Sequence, residues 1–379
     1  MVRNVMFLFV GVLLFISNLN AQESEEPPDH WGNDCNLRGG AIGRFVYQEE
    51  CEDDVEVVSR FGTPSKPIMS GNLLCCRKHP PHIAKYVCNA LVKYRVDRVA
   101  TQILGGTIVE EGEFPHMALI GYMLPGRPPT LAFECGGTLI SDQFVLTAAH
   151  CILNKDQKVP YLVRLGTLNK FPTADQPYDT KLTDYLIAEN GSIVHPQYQR
   201  IKRYNDIALL RLARRVKNFT HTVYPACLDY DKMDPTIIMS ISGWGKHIKG
   251  SVNTSDVMLK ASVEATPANV CTPFFNKGQW ARNNPNGIPP NQMCASGARN
   301  NTDADTCEGD SGGPLQLPVE KSISRVVGVT SFGSTCGNNA PGIYSRVSSF
   351  LDWITDTVWP EEDYKTFVYR IKQSYHISF

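Results

Sequence analysis

Twelve cysteines are spread through the 379 residues, and the way they are used constrains the fold more than any other feature. They lack the close paired spacing that zinc sites use, so six disulfide bridges are the expected arrangement. Such bridges need an oxidising compartment, and the amino terminus supplies a route to one. Arg3 precedes an apolar run from Val5 to Ile16, and polar residues then lead to Ala21, the organisation of a secretory signal peptide over residues 1–21. That run is shorter than the ~20 apolar residues of a membrane span, and no later stretch is long enough, so membrane insertion is not expected. The Asn-x-Ser/Thr triplets at Asn190, Asn218, Asn253 and Asn300 are candidate glycan sites of a secreted, extracellular protein. A net charge of -1 offers no basic field for a polyanion, which excludes nucleic acid as a partner.

Texture divides the rest. An acidic, proline-containing spacer (22–34) leads to a cysteine-bearing segment (35–76) too small to hold a core without bridges. Residues 77–102 read as a linker with Pro80, Pro81 and one isolated cysteine, Cys88, which needs a distant partner. From Ile103 onward, short apolar stretches such as Phe144–Ala148, Ile207–Leu212 and Val326–Phe332 are separated by Gly, Pro and Asn, the pattern of an all-β barrel or sandwich. Near the end Val347, Phe350, Leu351, Ile354 and Val358 share one helical face, with Ser348 or Ser349 available as cap. The tail, 361–379, is mixed in charge and suggests no role.

Three short segments carry chemistry: Thr147-Ala148-Ala149-His150-Cys151, Asp206-Ile207-Ala208-Leu209-Leu210 and Gly309-Asp310-Ser311-Gly312-Gly313-Pro314. Each alone is commonplace, since a histidine beside an apolar strand is usually packed and an aspartate before a strand is often a turn residue. Together they supply a nucleophile, a base and an orienter. A serine hydroxyl attacks poorly until a neutral imidazole takes its proton, and a buried carboxylate must hold that imidazole in one tautomer. Ser311 is therefore the candidate nucleophile, His150 its base and Asp206 the orienter, with the N–H groups of Gly309 and Ser311 as the oxyanion hole.

With these motifs stand Ile103-Leu104-Gly105-Gly106, Gly112-Glu113-Phe114-Pro115, Cys135-Gly136-Gly137-Thr138-Leu139-Ile140, Gly243-Trp244-Gly245 and Pro341-Gly342-Ile343-Tyr344. In them the chain resembles the chymotrypsin-like (S1) serine protease family from Ile103 to about Pro360. The resemblance implies an all-β fold of two six-stranded antiparallel barrels with a carboxy-terminal helix, and the three catalytic groups in the cleft between the barrels. It implies that Asp305, six residues before Ser311, lies at the base of the primary specificity pocket, where a buried carboxylate selects Arg or Lys. Ser331, Gly333 and Gly342 would complete that pocket. Cutting before Ile103 would free an amino group that pairs with Asp310 and orders the oxyanion hole. Gln102 precedes that cut, whereas Arg or Lys is usual, so a non-tryptic activator or a tryptic cut followed by trimming is expected. The loop from Gly166 to Asp179 matches a calcium-binding region of relatives, but Thr167 stands where they often have an acid; no metal and no required cofactor are expected.

The segment from Cys35 to Cys76 resembles the clip domain of arthropod proteases, in a four-cysteine form with Phe45 where a cysteine is usual. The two resemblances imply the bridges Cys35–Cys75, Cys51–Cys76, Cys88–Cys227, Cys135–Cys151, Cys271–Cys294 and Cys307–Cys336. They also imply an extracellular cascade of immunity, melanisation or developmental signalling. Its partners would be an upstream activating protease, a downstream zymogen or pro-ligand as protein substrate, and a serpin inhibitor. A non-catalytic homologue serving as a binding cofactor is disfavoured by the intact His150, Asp206 and Ser311, and a digestive trypsin by the tethered module.

Overall fold

The structure, a computed structural model, describes residues 34–36, 42–47, 73–77, 80–95, 107–153, 158–171, 183–230, 237–246, 253–275, 281, 287–297, 310–320, 322–333, 340–360 and 363–377. The expected signal peptide (1–21), Cys51, Gln102, Ile103, Asn300, Asp305, Cys307, Gly309 and Cys336 lie outside the described residues, as do the side chains of Cys35, Cys75 and Cys76. Two compact units divide between His79 and Pro80. In the first, strands β1 (Asp34–Asn36), β2 (Ile42–Tyr47) and β3 (Leu73–Arg77) form an antiparallel sheet whose register sets Cys35 opposite Gly43 and Phe45 opposite Cys75.

The second unit begins with helix α1 (Pro80–Lys93) and continues through fourteen strands. These are β4 (Thr107–Ile108), β5 (Met117–Leu124), β6 (Thr130–Leu139), β7 (Phe144–Thr147), β8 (Pro160–Leu165), β9 (Thr183–Val194), β10 (Ala208–Leu212), β11 (Cys227–Leu228), β12 (Met239–Gly243), β13 (Leu259–Thr266), β14 (Gln292–Gly297), β15 (Pro314–Glu320), β16 (Ile323–Phe332) and β17 (Gly342–Arg346). Strands β5 to β10 close into one barrel in the order β10-β7-β6-β5-β8-β9. Strands β16, β15, β12, β13, β14 and β17 form the second, closed by the pairing of β16 with β17.

Alternation along the strands builds these layers. On β5, Ala118, Ile120 and Tyr122 point into the first barrel's core, whereas Met117 and Leu119 pack on the opposite face with Val109, Trp244 and Met258. One strand thus lines a barrel interior and the seam beside it. The second barrel fills its interior with Met239, Ile241, Val263, Met293, Leu315, Val327 and Tyr344. A buried polar relay joins the two halves: His116, just before β5, donates from Nε2 to Gln316 Oε1 on β15 at 2.5 Å, and Gln316 Nε2 donates to Ser242 Oγ on β12 at 3.0 Å. Burial pushes the His116 pKa down to about 4, outweighing the opposing bond to Gln316. An unfolded histidine titrates near 6.5, so as pH falls from about 6.5 to 4 the unfolded chain takes up the proton first, and stability drops by about 3 kcal/mol. Urea unfolding at pH 7 and pH 4.5 checks this: His116→Phe should lose most of that component of the pH dependence, and an unchanged difference would contradict it.

The closing helix begins later than its sequence suggests. A 3₁₀ turn takes Val347–Phe350, and helix α4, Leu351–Val358, follows the short helices α2 (Ala149–Ile152) and α3 (Ala268–Phe275) in chain order. Phe350 stands at its N-cap with no side-chain cap bond, so neither Ser348 nor Ser349 acts as cap. A 3₁₀ turn running into the helix satisfies part of the first turn by itself, which leaves a serine cap nothing to do. The apolar face is as expected, with Val347, Phe350, Leu351, Ile354 and Val358 all buried.

Two further helices have no counterpart in the sequence expectations. Pro80 and Pro81 suggest a linker but open α1, where a missing N–H breaks no intrahelical bond. The tail forms helix α5, Asp363–Ile377. Its Tyr364, Phe367 and Ile371 are buried in the same core as Ile83, Val87 and Leu91 of α1. Phe367 lies between Phe219 (ring centroids 6.3 Å apart) and Trp359 (6.0 Å). Phe367→Ala should therefore cost about 3–5 kcal/mol, read as a lowered midpoint in thermal or urea unfolding. A loss below about 1 kcal/mol would show that α5 is not part of the core.

Candidate active site

Two adjacent strands of the first barrel deliver the candidate base and its candidate orienter. His150 lies on α2 just beyond β7, Asp206 lies just before β10, and the two strands pair antiparallel with Thr147 opposite Ala208. The end of one strand and the start of its neighbour thus share a rim. There His150 Nδ1 donates to Asp206 Oδ2 at 2.8 Å, and the His150 backbone N–H donates to Oδ1 at 2.9 Å. A carboxylate acceptor puts the ring proton on Nδ1, leaving Nε2 as the basic nitrogen.

Asp206 is fully buried, and the second barrel fixes it. Ser331 Oγ on β16 donates to Oδ2 at 2.5 Å, and Ser345 Oγ on β17 donates to the Asp206 carbonyl at 2.7 Å. Burial pushes the carboxyl pKa up, but the His150 ring, the Arg203 guanidinium 3.7 Å away and the Ser331 hydroxyl together outweigh it and hold the group below the usual aspartate range. It therefore stays ionised at neutral pH. The turn before it is bent sharply, with Arg203 at φ 57° and Asn205 at φ 53°. Side chains hold that turn: Gln292 Nε2 donates to the Arg203 carbonyl at 2.8 Å, and Asn291 Nδ2 donates to Asn205 Oδ1 at 2.7 Å.

Ser311 comes from the second barrel, just ahead of β15, and its carbonyl reaches across the seam. The Gly136 N–H donates to it at 2.8 Å, and Cys151 Sγ, beside His150, lies 3.7 Å from it. The bridge Cys135–Cys151 ties Cys151 to the residue before Gly136, so both contacts to the serine's main chain are linked next to the histidine. Gly312, at φ 77°, makes this approach feasible, because a Cβ there would lie 2.2 Å from Thr147 Oγ1 and 2.6 Å from the Gly136 carbonyl. Asp310 turns the other way. Its Oδ1 accepts from the Gly245 N–H at 2.8 Å, and a Cβ at Gly243 or Gly245 would fall within 2.3 Å of its carboxylate.

The remaining site residues divide as follows. Ser331 and Gly342 are buried on β16 and β17, and Gly333 is exposed just past β16. Besides Cys135–Cys151, the bridges Cys88–Cys227 (S–S 2.05 Å) and Cys271–Cys294 (2.09 Å) are formed. Asn190, Asn218 and Asn253 are exposed. In the loop considered for calcium, Thr167 Oγ1 is engaged by Asn169, donating to its carbonyl at 2.6 Å and accepting from its N–H at 3.1 Å. Among the described residues Cys135, His150 and Cys151 lie close enough to one another to share a metal ion, but both sulfurs are bridged and the His150 Nδ1 is taken.

Three functional neighbours carry no signal in the sequence: Arg203 beside Asp206, Ser345 on its carbonyl, and Lys170. The last is 4% exposed and donates from Nζ to the Trp244 carbonyl at 2.9 Å and to Thr254 Oγ1 at 2.6 Å, bracing the segment that cradles Asp310.

Comparison with known proteins follows the same outline. Residues 103–354 match the Trypsin family. The serine protease Hayan of Drosophila melanogaster is 39% identical over 267 residues, which are 69% of this chain and 40% of that protein. The CLIP domain-containing serine protease B4 of Anopheles gambiae is 31% identical, over 86% of this chain and 92% of its own length. Phenoloxidase-activating factor 3 of Holotrichia diomphalia is 35% identical, over 93% and 98%. This chain thus spans less than half of Hayan but nearly the whole of the other two. With the family's barrels, and with relatives of this kind matched over nearly their full length, the chain belongs to the trypsin family, alongside the clip-domain serine proteases of insects.

Proposed function

We propose that the chain is the secreted zymogen of a serine endopeptidase that cuts after Arg or Lys in an extracellular proteolytic cascade. The observation that carries this reading is the Asp206 carboxylate, buried, ionised and bonded twice to His150. In the proposed reaction, His150 Nε2 takes the proton from Ser311 Oγ as that oxygen bonds to the scissile carbonyl carbon. The carbonyl π electrons move onto its oxygen, which the N–H groups of Gly309 and Ser311 stabilise. The imidazolium, held in place by Asp206, returns the proton to the leaving amine. Water then repeats the sequence on the acyl-enzyme. Asp305, with Ser331, Gly333 and Gly342 around it, selects the cationic side chain.

Activation would follow from a cut before Ile103, whose new ammonium pairs with Asp310 in its cradle between Gly243 and Gly245. Arg95 supplies no alternative tryptic site, because it is 5% exposed and donates to the carbonyls of Thr220 and His221 at 3.1 and 3.0 Å. With Gln102 before the cut, the upstream protease is non-tryptic, or a tryptic cut after Arg98 is trimmed. A relative named for activating phenoloxidase supports a downstream zymogen or pro-ligand as the protein substrate; a serpin is the proposed inhibitor. Amino-terminal sequencing of the heavy chain from active protein should give Ile103. Any other start in fully active protein overturns this activation scheme.

A further inference from the structure

The helix that opens the second unit lies on the amino-terminal side of the proposed cut, yet it is built into the catalytic body. We propose that α1 and α5 form a non-covalent clamp that keeps the severed amino-terminal chain on the protease without help from the Cys88–Cys227 bridge. The inference rests on the reading that the cut falls before Ile103. It gives the carboxy-terminal extension a role: it completes the seat for α1.

The observations come from both sides of the contact. On α1, Ile83, Ala84, Val87 and Leu91 are between 0 and 4% exposed, whereas Lys85, Asn89 and Lys93 face solvent. A helix with that division of faces is seated, not merely attached. Its far end is locked by polar contacts as well. Tyr224 Oη donates to the Leu91 carbonyl at 2.9 Å, and the Arg95 guanidinium lies 4.6 Å from the centre of the Tyr224 ring while holding two carbonyls of the heavy chain. On α5, Tyr364 meets Tyr86 of α1 edge to face at 5.6 Å. A flank of α5 is fastened to the first barrel by Arg370, whose Nε lies 2.7 Å from Asp142 Oδ2. A disulfide limits how far two chains can part but does not orient them. Fourteen residues of helix are marginally stable alone in water, so release of α1 would unfold it and expose its apolar face together with that of α5.

The test uses the full chain with an enteropeptidase site, made by Arg98→Asp, Val99→Asp, Ala100→Asp, Thr101→Asp and Gln102→Lys, so that an added reagent makes the cut before Ile103. Cleavage then depends neither on the native activator nor on peptide hydrolysis by this protein, and failure of the proposed function would show separately as inert cut protein. In the Cys88→Ser/Cys227→Ser background, both cut chains should elute together in size exclusion without denaturant. The same background truncated before Asp363 should release the amino-terminal chain. Separation of the chains with α5 intact overturns the clamp, and retention after truncation removes α5 from it. Should the double variant fail to fold, mild native reduction of the cut cysteine-intact protein provides the same readout.

Discussion

Processed protein carrying Ser311→Ala is expected to turn over peptides about 10⁶-fold more slowly than the unaltered form, and His150→Ala should cost about as much. The two changes combined should cost no more than either alone, because hydroxyl and imidazole act as one unit. Asp206→Asn should lose about 10⁴ in kcat. Its effect has a specific origin here: the carboxylate accepts from the His150 ring, the His150 main chain and Ser331, and an amide cannot accept at all of those positions. The imidazole would then turn or change tautomer, and Nε2 would no longer be the basic nitrogen. Steady-state kinetics on a short peptide ending in Arg before the scissile bond reads all of these. A Ser311→Ala protein within tenfold of the parent, freed of contaminating protease, would show that the serine is not the nucleophile.

Asp305→Ser should cost about as much as Asp206→Asn, and it should be selective. A buried carboxylate left facing an apolar side chain is unpaired and costly, whereas a guanidinium or ammonium satisfies it. Sites built around such a polar group reject ligands that cannot pair with it by about 10⁴. Cleavage after Arg and Lys should therefore fall by about that factor in kcat/KM, while reaction of Ser311 with a small organophosphorus reagent that ignores the pocket persists. Loss of both would place Asp305 in the general architecture of the site, and loss of neither would remove it from the pocket.

Much of this was legible in the chain and some was not, for identifiable reasons. The strands announced themselves because short apolar runs bounded by turn residues survive in sequence, as in the segments that became β7, β10 and β16, which are buried on both faces. The candidate triad was legible because its segments are short and local, each a strand end or tight turn with its own residue demands, such as the glycine at 312. Helix α1 was hidden by Pro80 and Pro81, which signal a linker unless one knows that the helix starts there. Helix α5 was hidden because its face of Tyr364, Phe367 and Ile371 is sparse and its surface mixed in charge. Arg203, Ser345 and Lys170 act through contacts with residues distant in sequence or through a left-handed turn, and neither leaves a pattern along the chain.

Ser331 gives the site a mechanical property. It holds the Asp206 carboxylate while belonging to the strand that runs on towards Gly333. Under the proposed pocket assignment, one strand edge serves both the gripping of a cationic side chain and the aiming of the base. A bound side chain that seats well therefore steadies the proton-transfer apparatus, and one that displaces the strand disturbs it. Recognition and turnover in this protein should consequently rise and fall together across a substrate series, instead of varying as independent quantities.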